Sequence, residues 1–449
     1  MLLVSTTKGE KMTNQEKISP SFQTLFKKNS RILQRESLLS LNFFPDIVVA
    51  RDNQMHTIAQ NLSSILNNGD PANMYIWGDT GVGKTITIKH VLKILTDGIK
   101  EDGQDILIDI VMLNCTVIKS EITACIEILT QLTKVTIKTG LLFYNYMNDI
   151  WSVIEKKASE HAFYTLILVF DEIDSFVEPN DILYQFSRAL AQQSILANNV
   201  AIEIIAVSNK KDFLHKRLDD KVLSSAAFTF CNFPDYNEEE LYEILQLRKG
   251  AFVDGAISDD LIQYCAKQVA EKYHGDARRA LKIIYASAKR AENENSSIIT
   301  LEHLISAEQV VNNQVTLEML QKITLHDRML ILASHLANKV INQTNQKIPA
   351  HTGIVLETYR KICYLTGAEP NGDTYMSSRL KALDAQQIIQ ANFRKGHGNT
   401  KFIEVANDVE LIIDNLFPQD FNNMIVKNYC DIESIIVNKL KKGSNGATG

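Results

Sequence analysis

Gly78-Asp79-Thr80-Gly81-Val82-Gly83-Lys84-Thr85 has the spacing by which a backbone loop wraps the phosphates of a nucleotide. Glycines let consecutive N–H groups converge on one point. Lys84 brings a compact positive charge to the β and γ phosphates, and the Thr85 hydroxyl can ligate Mg²⁺. The flanks agree: Met74-Tyr-Ile-Trp77 reads as a short buried strand, and Thr85 to Leu95 places apolar residues at helical spacing. The loop therefore opens a helix N-terminus, where anions bind.

Composition frames that motif. The chain has 449 residues, 45% hydrophobic and 22% charged, enough for two to four domains with ample core. No apolar run approaches the roughly 20 residues of a membrane span, and the N-terminus has no basic region followed by an apolar stretch, so no membrane partner and a cytoplasmic location are expected. Cys115, Cys125, Cys231, Cys265, Cys363 and Cys430 lie far apart with no C-x-x-C pair, against a zinc site or disulfide framework. His326, His335 and His351 lack ligand spacing as well. With a net charge of −6, nucleic-acid binding would need local basic patches.

A second acidic element completes the nucleotide reading. Thr165 to Phe170 is a continuous apolar strand delivering Asp171 and Glu172 at its C-terminal end, where open α/β sheets keep their chemistry. Asp171 would help Thr85 hold Mg²⁺, and Glu172 would orient and deprotonate a water attacking the γ-phosphate. Ala201 to Val207 is a further buried strand ending at Ser208-Asn209, whose amide can sense that phosphate. Ile106 to Leu113 is another, and the helical run Ser120 to Thr133 follows it. The alternation predicts a parallel sheet covered by helices. Farther on, Asn237 before Glu238-Glu239-Glu240, Ser258 before Asp259-Asp260, Gly275 and Thr300 mark four helix starts, a small all-helical domain. Within it Arg278 would reach towards the phosphates.

Strand-end acids, strand-end Asn and a distal Arg are the combination found in the AAA+ ATPases. Leu183-Tyr184-Gln-Phe-Ser-Arg188, Leu218-Asp-Asp-Lys221-Val222-Leu-Ser224-Ser225, Phe233-Pro-Asp-Tyr236-Asn-Glu-Glu-Glu-Leu241 and Gly275-Asp-Ala-Arg278-Arg279-Ala-Leu281, in that order, narrow the likeness. The chain resembles the archaeal origin-recognition replication initiators, relatives of the eukaryotic origin recognition complex and its cell-division-cycle loading partner, from about Phe26 to Leu416. The resemblance implies an α/β AAA+ ATPase base with a parallel sheet and phosphate loop, an all-helical lid and a C-terminal winged-helix domain. It also implies ATP/ADP and Mg²⁺, with Asn209 as first sensor, Arg278 as second, and Tyr236 and Arg248 on the nucleotide.

Domain limits follow: a disordered leader over 1–20, the base over 21–233 with an insertion near 117–146, the lid over 234–312, the winged helix with an extension over 313–442, and a flexible tail over 443–449. In the insertion Lys119, Lys134 and Lys138 serve either DNA phosphates or a solvated helix face. Lys221 stands where the family commonly has an arginine finger reaching a neighbouring subunit's ATP. It keeps the charge but loses the planar fork, so action in trans is in doubt, with Arg217, one helical turn earlier, as substitute. Slow hydrolysis with ATP and ADP forms as two states is the expectation.

Beyond Asn313, helices over Leu325–Ala337 and Gly353–Leu365 and a turn at Glu369–Asp373 imply a helix-turn-helix. In the next helix Met376, Leu380 and Leu383 share one face, so Ser378 and Lys381 point the other way with Arg379 on the flank, a set suited to a major groove. Two strands, Gln387–Phe393 and Thr400–Val405, would then flank a basic wing with Arg394, Lys395, His397 and Lys401. Together these readings imply an initiator that binds double-stranded origin DNA and helps recruit the minichromosome-maintenance helicase, alongside paralogous initiators. An AAA+ transcription regulator, or a paralogue that marks DNA without loading helicase, are the alternatives.

Overall fold

Five strands, β1 (Met74–Trp77), β2 (Ile106–Asn114), β3 (Phe163–Asp171), β4 (Val200–Ser208) and β5 (Thr229–Asn232), pair in parallel in the order β2-β3-β4-β1-β5. The computed structural model describes residues 31–189, 199–321, 323–343, 349–385, 388–393, 401–406 and 416–444, with Val409 and Ile413. It divides into two compact units, Met1–Leu304 and Ile305–Gly449.

In the first unit β3 and β4 are apolar almost end to end because helices cover both faces of the sheet. On one face Ile167, Val169, Ile205 and Val207 meet Ile58 and Leu62 of α1 (Asp52–Leu62) and Ile88, Val91 and Leu92 of α2 (Lys84–Glu101). On the other, Leu166, Leu168 and Phe170 pack against Ile128 of α3 (Glu121–Thr133) and Ile150 and Ile154 of α4 (Phe143–Glu160). Shorter helices α5 (Asn180–Arg188), α6 (Phe213–Arg217) and α7 (Asp220–Ala226) follow. The stretch expected as an insertion, 117–146, holds α3 and the start of α4: Ser120 caps α3, Lys134 ends it in a left-handed turn, and Lys119, Lys134 and Lys138 are exposed.

The lid holds α8 (Glu238–Gln246), α9 (Asp259–Lys272), α10 (Ala277–Asn293) and α11 (Leu301–Gln321). Its starts obey their capping chemistry. Asn237 and Glu240 form a reciprocal box with both hydrogen bonds at 2.9 Å, and Ser258 and Asp276 accept from Leu261 N and Arg279 N. Two boundaries differ from the sequence reading. Ile32 to Gln34, expected in the base, run along the lid, with Gln34 N donating to Ala251 O at 2.8 Å and Val253 N to Ile32 O at 2.9 Å. The expected limit at 312/313 falls inside α11.

The second unit has α12 (Leu325–Gln343), α13 (Thr352–Thr366) and α14 (Asp373–Ala385), then a sheet of β6 (Ala350–His351), β7 (Ile389–Phe393) and β8 (Lys401–Val405) in the antiparallel order β6-β8-β7. Helix-turn-helix and hairpin together make the winged helix. Tyr359 Oη fixes the turn, accepting from Asn371 N at 3.1 Å and meeting His326 Nδ1 at 2.7 Å. After Phe417, α15 (Gln419–Lys427) and α16 (Tyr429–Ser444) bury Ile425, Ile432 and Ile436 in the same core. The extension is thus part of this unit, and its last helix runs into the segment expected as a tail. The leader, residues 445–449, and Arg394, Lys395 and His397 lie outside the described residues.

Candidate functional site

The phosphate loop leaves β1 and enters α2 with its carbonyls tied back. Lys84 Nζ donates to Gly78 O at 2.7 Å and Asp79 O at 2.6 Å, Ala277 N of the lid donates to Gly81 O at 3.3 Å, and Arg51 Nε donates to Val82 O at 2.9 Å. In a trans peptide the carbonyl and the next N–H point opposite ways, so the amides of Asp79, Thr80, Val82 and Gly83 face away from these donors. Amides turned outward in succession make an anion cradle. Gly81 is required there: its φ of 77° is left-handed, and a β-carbon would overlap the Asp276 carboxylate.

Lys84 is buried and also donates to Asn209 Oδ1 at 2.9 Å. Burial pushes its ammonium down to about 8; Asp171 opposes this and Arg278 adds to it. Thr85 Oγ1 donates to Asp171 Oδ2 at 2.7 Å. A hydroxyl and a carboxylate are hard oxygen donors, so the pair fits Mg²⁺, which would be held there and would neutralise phosphate charge. Glu172 follows in a left-handed conformation with φ 56°, which turns it off the strand axis into the cavity.

That cavity, of about 590 Å³, is lined by Gly81, Gly83, Thr85, Asp171, Glu172, Tyr236, Arg248 and Arg278. The sequence reading therefore named base and lid residues that do converge, while Gly78 packs so tightly on Phe233 that a β-carbon has no room. Arg248 is buried with Nε unpartnered and its guanidinium 4.4 Å from the Phe43 ring centre, and burial lowers its pKa. A desolvated cation with a spare donor beside the cradle suits an anionic ligand. At the exposed rim Asp79, Asp235 and His274 bring their ligand atoms within 4.8 Å of one another.

Three features escaped the sequence reading. Asp174 holds Asn209: its Oδ1 accepts from Asn209 N and from Ser208 Oγ, each at 3.2 Å. Only its place after Asp171-Glu172 hinted at this. Phe43 and Phe44 line the cavity from a segment that carries no nucleotide motif. Arg51 has no motif around it at all.

Lys221 is exposed at the start of α7, 3.9 Å from Asp219 Oδ2. Arg217 does not lie one turn before it on the same helix. It ends α6, and Leu218 and Asp219 are extended between the two.

In the second unit Met376, Leu380 and Leu383 are buried, and Ser378 and Lys381 are exposed on the opposite side of α14. Lys401 begins β8. Arg379 needs correction. Its Nε and Nη2 donate to Asp327 Oδ1 and Oδ2 at 2.8 and 2.6 Å, a fork on a buried carboxylate that withdraws two donors from any groove. Burial raises the pKa of Asp327, but the bonds from Arg379 and Thr324 outweigh it and hold the carboxyl below the usual range. All six cysteines are free, five of them buried. Among the described residues no helix is long and apolar enough to cross a membrane.

Residues 74–229 match the AAA family, ATPases associated with various cellular activities, and residues 242–309 match the Cdc6 AAA+ ATPase-type lid domain. The chain is 28% identical over 398 residues to an ORC1-type DNA replication protein of Thermococcus kodakarensis, covering 87% of this chain and 92% of the relative. The Aeropyrum pernix ORC1 protein, solved in complex with DNA, shares the fold with a TM-score of 0.71 at 24% identity, over 89% of this chain and all of that one. An ORC1-type DNA replication protein 1 of Sulfurisphaera tokodaii is 30% identical over 397 residues, 87% of this chain and 94% of the relative, and the chain belongs to this family of ORC1-type replication initiators.

Proposed function

We propose that this initiator is a nucleotide-switched protein that binds duplex origin DNA through its winged helix and insertion and helps recruit the minichromosome-maintenance helicase. The observation that carries the reading is the cradle: carbonyls tied back by Lys84, itself on Asn209, and beside them a cavity in which Thr85 and Asp171 share a lining with lid arginines. Lys84 and the loop amides take the phosphates. Thr85 and Asp171 hold Mg²⁺, Glu172 activates water, Asn209 reads the γ-phosphate, and Arg278, Arg248 and Tyr236 close over the nucleotide. A lid that contributes cations to one side of the site responds to the γ-phosphate, which makes ATP and ADP two states with slow turnover between them.

DNA contact rests on the family, on the A. pernix relative solved with DNA, and on Ser378, Lys381 and Lys401 in the winged helix, with Arg394, Lys395 and His397 proposed at its tip. The exposed lysine at 221 favours a second reading, a paralogue that marks origins without loading helicase, because a point charge paired with Asp219 lacks an arginine's fork.

Chromatin occupancy of the native protein, mapped against replication start sites, tests the reading. Peaks at those sites support the initiator, and peaks confined to promoters overturn it. Depletion of the protein followed by helicase occupancy at the same sites separates a loader, whose loss empties them, from a marker, whose loss does not.

A further inference from the structure

Arg51 is 1% exposed and donates to three backbone carbonyls, with the Tyr236 side chain as a further partner. Nε donates to Val82 O at 2.9 Å, Nη1 to Ala50 O at 2.9 Å and Nη2 to Pro234 O at 2.8 Å. Its guanidinium lies 3.7 Å from the ring centre of Tyr236, which is itself buried. Burial lowers the pKa of Arg51, with the charges of Glu240 and Asp235 only opposing it in part, so a cation desolvated at this point needs a reason beyond packing. The partners supply one. Val82 belongs to the phosphate loop, whereas Pro234 and Tyr236 begin the lid. Tyr236 in turn encloses Gly275, whose φ of 63° and contact with the Tyr236 backbone leave no space for a β-carbon. Gly275 leads into Asp276 and Ala277, which touch Gly81. Upstream, the segment before Arg51 lines the cavity through Phe43 and Phe44 and pairs with the lid through Gln34.

We infer that Arg51 is a positioning residue of the nucleotide site, clamping the Val82–Gly83 peptide and the lid hinge with one guanidinium so that an open lid loosens the cradle and a closed lid retains nucleotide. The inference rests on the nucleotide reading above. By drawing Val82 O inward, Arg51 aims the Gly83 N–H outward. By holding Pro234 O and stacking on Tyr236, it makes that aim depend on the lid. Lysine cannot substitute, because one ammonium cannot span three carbonyls and lie flat on a ring.

The test is stopped-flow dissociation of a fluorescent ADP from full-length wild type, Arg51→Lys and Arg51→Gln, with the melting temperature of each protein measured without nucleotide. Losing charge-assisted bonds to the loop and hinge is expected to raise the dissociation rate of Arg51→Lys by about tenfold or more, with the association rate changed far less. Wild-type dissociation in a folded Arg51→Lys overturns the clamp. If Arg51→Lys does not fold, Arg51→Gln decides, since it keeps an amide donor but can no longer bridge loop and hinge: faster release upholds the clamp and unchanged release overturns it. A wild type that binds no ADP, like Lys84→Ala, overturns the nucleotide reading itself, an outcome distinct from failure of the clamp alone.

Discussion

Lys84 shows how one residue's surroundings set a measurable pH dependence. Its ammonium is desolvated, tied to two loop carbonyls and Asn209, and brought down to about 8. A phosphate is attracted only by the protonated form. Nucleotide affinity is therefore full below pH 8 and falls above it, by up to about tenfold per pH unit, with proton uptake on binding in that range. Titration calorimetry of ADP in buffers of different ionisation enthalpy from pH 7 to 9 measures both. Removing Arg278, which depresses the lysine further, moves the inflection to higher pH. Glu203 has its pKa shifted the opposite way. It is fully buried on β4, accepts from Asn61 at 2.9 Å, and has its other oxygen unpartnered, so burial raises its pKa to about 8. An acid with a raised folded pKa stabilises fully below its unfolded value, near 4.5, and that stability is lost as pH rises through 8. Glu203→Gln removes this dependence. Denaturant unfolding of wild type should lose up to about 1.4 kcal/mol per pH unit in that window, while the glutamine variant stays level.

At the scale of an element, the Asp327–Arg379 fork sets α14 against α12. Asp327 is buried and its folded pKa lies below the usual range, so its contribution is present above the ordinary carboxylate pKa and is lost as pH falls through the folded value. Asp327→Asn leaves Arg379 with half its fork and no counter-charge. It should cost about 2 kcal/mol or more of stability, read by chemical unfolding, and weaken DNA binding while nucleotide affinity is unchanged. The fork also explains what the sequence could show. Strands β3 and β4 were legible as apolar runs, the cradle as a local motif, and α14's buried face as Met376, Leu380 and Leu383. Arg379 read as a flanking surface residue because its partner lies 52 positions away. Arg51 was invisible for a stronger reason: its partners are backbone carbonyls, and any residue type presents those. The stretch 31–50 offered no α-helix or strand to read because it is a strap, shaped by the lid and cavity it crosses. Helix α7 escaped at finer grain, since the break at Leu218-Asp219 is a matter of backbone angles rather than composition.

For the whole molecule, the charge distribution and the division into units make the two binding activities separable. A chain of net charge −6 has no general attraction for DNA, so affinity must come from a few basic residues. The nucleotide cradle lies in the first unit, and Lys381 and Lys401 lie in the second. Lys84→Ala should therefore abolish nucleotide binding without touching the side chains of the winged helix. Conversely, Lys381→Ala and Arg394→Ala should leave ADP affinity within about twofold of wild type, because positions 381 and 394 belong to the other compact unit. Removing a side chain that neutralises one phosphate should lower the slope of log affinity against log salt by about 0.9, whereas removing one that reads a base lowers affinity for the preferred site with the slope preserved. Fluorescence anisotropy on one duplex and a scrambled duplex, over a series of salt concentrations, reads both quantities for each variant. A slope that drops for Arg394→Ala assigns the wing to the backbone. An unchanged slope with no remaining preference assigns it to the base edges, and no change in either removes it from the interface and leaves DNA to α14 and the insertion.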